Sequence, residues 1–97
     1  MDFAFISRHQ PTAGQHQMAE DLGHTLTHIG DRDAFKVSVG EILDDGPWEA
    51  VVVVHPAAAL RLAPHFVVGV FENANRAPVG EPPRFDAIGF HIYDLRD

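Results

Sequence analysis

At 97 residues, with 45% of them hydrophobic, 22% charged and no low-complexity tract, the chain has the size and composition of one globular domain and not of a disordered or fibrous protein. A formal net charge of −7, with Lys36 the only lysine, argues against a broad electrostatic footprint for duplex nucleic acid or an anionic membrane. With no cysteine, a disulfide framework and a thiolate metal site are both ruled out.

No apolar run approaches the roughly 18 to 20 residues of a membrane span, and the start does not read as a secretory leader, so cytoplasm is the expected location. A domain of this size buries only about two-thirds of the surface its unfolded chain exposes, which makes a homodimer a reasonable expectation.

In chain order, residues 2–6 (DFAFI) read as a short strand buried on both faces, closed by the polar SRHQP. Thr12 can cap a helix running to about Leu22, with Gln15 in capping-box position, Met18, Ala19 and Leu22 as its apolar stripe, and Gly23 as its stop. Residues 24–30 (HTLTHIG) alternate like a second strand, ending before the charged turn Asp31-Arg32-Asp33. Over 34–43 strand-like alternation competes with a cap at Ser38, and a short helix after Ser38 is favoured. Asp44-Asp45-Gly46-Pro47 reads as a turn. The four valines ending at Val54 mark a central parallel strand. Pro56 suits the first turn of a helix running to Ala63, which Pro64 terminates. Residues 65–71 form another apolar strand, 72–87 a long loop with three prolines, and 88–95 (IGFHIYDL) a last strand at an edge or in an interface.

The order β-α-β-(α)-β-α-β-loop-β predicts a single α/β domain over 1–97: a small Rossmann-like, open, mostly parallel sheet of about five strands with flanking helices. In such sheets ligands bind beyond the carboxyl ends of the strands. That rule selects Ser7 to Thr12, Asp31-Arg32-Asp33, His55-Pro56 and Glu72 to Arg76. Histidine transfers protons near neutral pH and arginine grips phosphate through a bidentate fork, so Arg8, His9, His55 and Arg76 suit phosphate-ester chemistry. Ser7, Thr12, Asp31, Asn73 and Asn75 stand on the same rim as candidate ligand-binding residues. Each segment also has a plain reading: SRHQPT as a strand-to-helix turn, His55 as a helix cap, Asp31 to Asp33 as a solvated ion pair, and 72–76 as a surface loop.

His16 and Gln17 face outwards, and His24, His28, His65 and His91 are explained as strand residues. A metal site of His9, His55, Asp31 and Glu72 is conceivable without any HExxH-like spacing, so no metal is expected. No GxGxxG, P-loop or GxSxG sequence is present, and chemistry without a cofactor is the expectation.

The stretch FAFISRHQPTAGQHQMAEDLG, with His9, Pro11, Thr12 and Gln15 as matching residues, resembles the start of small CRISPR-associated ring nucleases, in which the first strand ends in a histidine before a Pro-Thr-x-x-Gln helix entrance. The resemblance continues, in order of elements only, through the valine strand to the closing FHIYDL. It implies a Rossmann-like homodimer that binds a cyclic oligoadenylate second messenger and cleaves it without metal, an off-switch of type III CRISPR antiviral signalling. It also implies attack of a ribose 2′-hydroxyl on the adjacent phosphorus. His9 would transfer a proton, Arg8 and Arg76 would meet phosphate charge, and His55, Asn73 and Asn75 would meet base or ribose. This chain departs from the basic pocket of that group, since arginines must replace lysines. The other expectations are a nucleotide sensor or sponge that does not cleave, a small acidic protein-interaction domain, and a metal-dependent phosphoesterase.

Overall fold

The computed structural model describes residues 1–31, 33 and 35–96, and of Asp31 and Phe85 the backbone alone. The elements in chain order are β1 (Asp2–Ser7), α1 (Ala13–Asp21), β2 (Thr25–Asp31), α2 (Val39–Asp45), β3 (Ala50–Val53), α3 (Pro56–Leu62), β4 (Val67–Asn75) and β5 (Phe85–Asp94). They build one five-stranded sheet in the order β2-β1-β3-β4-β5. The first four strands pair in parallel, and β5 closes one edge antiparallel to β4. The fold is therefore α/β with a mostly parallel mixed sheet, compatible with a small Rossmann-like architecture.

The central strands are those with unbroken apolar runs. Phe3 to Ile6 of β1 and Ala50 to Val53 of β3 are all buried, as strands covered on both faces must be. Period-two alternation splits their side chains between two cores. On one face Ala4, Ile6, Val51, Val53, Val68 and Val70 pack under α2 and α3 through Ile42 and Leu62, with Phe66 of the link into β4 beside them. On the other, Phe3, Phe5, Val52 and Phe71 pack under α1 through Ala19 and Met18. Phe90 of β5 completes that second layer, stacked on Phe71 at 4.4 Å and edge-on to Phe3 at 5.7 Å.

Local chemistry fixes the helix boundaries. Thr12 Oγ1 accepts the Gln15 amide at 3.1 Å while Gln15 Oε1 accepts the Thr12 amide at 2.9 Å, a complete capping box. Gly23 follows α1 at φ 81°, a left-handed conformation that suits glycine. Ser38 Oγ caps α2 through the Glu41 amide at 3.1 Å, as its sequence predicts. Pro56 opens α3 at its first position.

Several boundaries differ from expectation. The strand expected over 48–54 is β3, Ala50–Val53 alone, with Val54 beyond it and exposed, and β2 runs on to Asp31. Asp44 and Asp45 belong to α2 instead of a turn. The long loop over 72–87 is mostly strand: β4 continues to Asn75, β5 begins at Phe85, and only 76–84 turn the corner. The physical cause is Asn75, whose Oδ1 accepts the amides of both Ala77 and Arg84, beside the backbone bond from Arg76 N–H to the Arg84 carbonyl. That clamp confines Pro78, Pro82 and Pro83 to the turn, where they cost no ladder hydrogen bond.

At the far end of β5, Arg96 donates to both carboxylate oxygens of Asp94 and, at 3.1 Å, to Glu49 just before β3. Chiefly through the Arg96 hydrogen bond, the Asp94 carboxyl is held below its ordinary value. Among the described residues no helix is long and apolar enough to cross a membrane.

Candidate functional site

The strand order reverses around β1, because the chain goes from β1 to β2 on one side and returns to β3 on the other. Helix α1 leaves β1 over one face and α3 leaves β3 over the opposite face, so a crevice must open between their starts. A groove of about 1080 Å³ lies there. It runs from Ser7, His9 and Thr12 past Val54 and Pro56, then down between α3 and β5. Its walls are mostly apolar, with Phe71, Leu60, Val70 and Leu95 among them.

The structure brings four of the predicted residues together. Ser7, His9, Thr12 and Asn73 all line the groove. Ser7 is pinned there. Its Oγ accepts the His9 amide at 3.2 Å, and its carbonyl accepts from His28 Nε2 at 2.7 Å, where the β1–β2 register slips. The Thr12 capping box uses the Thr12 and Gln15 amides, which leaves those of Ala13 and Gly14, the first two of α1, without an intrahelical acceptor. Those amides lie between Thr12 and Gln15, the two α1-entrance residues that line the groove.

The other predicted residues stand apart from the described lining. Arg8 faces Asp33 at 3.8 Å, with two-thirds of its side chain exposed. His55 takes its plain reading: Nδ1 accepts the Ala57 amide at 3.1 Å as the cap of α3, and its ring lies against Phe35 at 5.2 Å. Asn75 is spent on the turn, and Arg76 is exposed beside it. Asp31 ends β2, and its side chain, like all of Arg32, lies outside the described residues. Among the described residues, no three His, Asp or Glu side chains are grouped to share a metal ion.

Two groove residues escaped the sequence reading or were set aside in it, and a third, Glu72 of the selected segment 72–76, has a neighbour the sequence did not show. His91 and Tyr93, two apart on β5, project into the groove from the α3 side of the sheet, and Glu72 of β4 lies beside His91 with Oε2 3.3 Å from Nε2. The register that places them, Val70 opposite His91 and Glu72 opposite Gly89, follows from antiparallel pairing with a slip between Glu72 and Asn73. Alternation within 88–95 shows that His91 and Tyr93 share a face, but nothing local to that stretch shows which face meets a groove.

The described lining holds one formal charge, Glu72, and neither lysine nor arginine. An anion bound there therefore meets backbone amides and imidazole, with Arg8 the nearest arginine in sequence. Compared with known protein families, curated proteins and solved structures, the chain matches none.

Proposed function

We propose that the groove binds a cyclic oligoadenylate and opens it, without metal, by attack of a ribose 2′-hydroxyl on the neighbouring phosphorus. The observation that carries this reading is the meeting of Ser7, His9 and Thr12, at the entrance of α1, with Asn73 at the point where the strand order reverses. The Ala13 and Gly14 amides are donors suited to a phosphoryl oxygen as its charge grows. His9 is exposed and supplies the proton for the leaving 5′-oxygen. Asn73 offers both a donor and an acceptor to ribose or base. Arg8, two-thirds exposed, would reach phosphate by leaving Asp33, a partner held only at 3.8 Å. A homodimer is supported by β5, an edge strand on which Ile88, Ile92 and Tyr93 are exposed.

The test is incubation with cyclic tri-, tetra- and hexa-adenylate in EDTA, read by mass spectrometry. Linear products ending in a 2′,3′-cyclic phosphate are expected, and His9→Ala is expected to slow their formation by about 10²- to 10⁴-fold. Rings returned intact would refute cleavage.

The lack of lysine and arginine in the described lining favours a second reading, binding without turnover, since little fixed positive charge faces the transition state. Retention of an intact ring on size-exclusion chromatography would establish it.

A further inference from the structure

Glu72, which opens the strand-end segment 72–76, and His91 stand on adjacent strands, β4 and β5. An ionised carboxylate only accepts hydrogen bonds, so in neutral His91 the 3.3 Å contact, between side chains that are both about half exposed, favours the hydrogen on Nε2. The lone pair is then left on Nδ1, which has no partner among the described residues. This is the arrangement of a base oriented by a carboxylate.

Gly89 gives independent support. It sits opposite Glu72 and two residues before His91, so all three share one face. A Cβ at Gly89 would lie 3.1 Å from both Glu72 Oε2 and His91 Nε2. Gly89 does not have a positive φ, so its backbone does not demand glycine. What it leaves room for is the meeting of carboxylate and imidazole. The same row continues to Tyr93, and Leu60 and Pro56 of α3 form the wall opposite.

We infer that His91 is a general base of this groove, with Glu72 as its positioning residue. Resting on the nuclease reading above, the step is as follows. His91 Nδ1 takes the proton of the ribose 2′-hydroxyl as that oxygen bonds to phosphorus. The P–O5′ bond breaks, its electrons pass to the leaving oxygen, and His9 supplies that oxygen with a proton. The products are a 2′,3′-cyclic phosphate and a 5′-hydroxyl. The two histidines then exchange protonation states, and solvent restores them.

The test separates this inference from the nuclease reading by its substrate. Adenosine 3′-(4-nitrophenyl phosphate) carries a leaving group that departs without an acid, so nitrophenolate release reports the base alone. Release is expected from the wild-type protein, and His91→Ala should lower it by about 10²- to 10⁴-fold. Glu72→Gln and Gly89→Ala should lower kcat while KM holds, and ring-¹⁵N NMR should show His91 losing its favoured Nε2–H form in both. Release that is absent, or untouched by His91→Ala in a variant that keeps the wild-type circular dichroism, overturns the base. Intact cyclic rings together with His91-dependent nitrophenolate release would refute the nuclease reading and leave the base standing. Opened rings with His91→Ala fully active would do the reverse.

Discussion

Gly69→Ala places one methyl group where the second core has no room for it. Gly69 lies on β4 beneath the Phe90 ring, and an added Cβ would stand 2.5 Å from Phe90 Cε2, 2.7 Å from Cζ and 3.2 Å from Val52 Cγ2. Carbon atoms rest about 3.5 to 4.0 Å apart, so the ring must withdraw by about 1 Å. It cannot do so freely, because the other side of Phe90 is engaged with Phe71 at 4.4 Å and 13°, and its edge with Phe3. Overpacking of this kind costs about 1 to 3 kcal/mol. In a domain of this length each kcal/mol lowers Tm by about 4 to 8 °C, so thermal unfolding followed by circular dichroism should show a loss on the order of 4 to 24 °C. Phe90→Leu removes the obstructing ring edge, and in that background Gly69→Ala should cost less than half as much. A Gly69→Ala protein that melts within about 1 °C of wild type, or an equal loss in both backgrounds, would refute the packing argument.

Further outcomes follow from the caps and ion pairs. Thr12→Ala breaks the capping box of α1 and should lower stability by about 1 kcal/mol in urea titration, with the m-value unchanged. Asn75→Ala strips the acceptor from the Ala77 and Arg84 amides, and should speed hydrogen exchange at those two amides while leaving β3 protected. Because the folded-state Asp94 carboxyl is lowered from 3.8 by Arg96, its contribution to stability is complete above that value and is lost as pH falls through the lowered one. The wild-type advantage over Asp94→Asn in denaturation midpoint should therefore be constant near neutrality and shrink only below about pH 4.

Much of the fold is legible because its signals are local. Four valines in a row admit few readings besides a covered strand, and Thr12 with Gln15 states a helix start in four residues. Thr12, His9 and Ser7 could be placed on the rim for the same reason, since they follow β1 directly. The extension of β4 through Asn75 was hidden by composition: three prolines and a glycine look like one loop, and a single asparagine side chain gathers them into a turn. The meeting of His91 with Glu72 was hidden by register. They are 19 residues apart in sequence, and only the pairing of β4 with β5 makes them neighbours. His55 and Arg8 were legible as residues of the right chemistry, but their partners, Ala57, Phe35 and Asp33, decide their roles.

The sheet order carries a consequence for biosynthesis. β1 leaves the ribosome before both strands it ends between, with Asp2 beside Thr25 and Ala4 beside Val51. Until β3 emerges, Phe3, Phe5 and Ile6 belong to a nascent chain with no completed core to enter, and a holdase has its clearest target there. The β4–β5 hairpin, by contrast, closes on its own short turn as soon as it is synthesised.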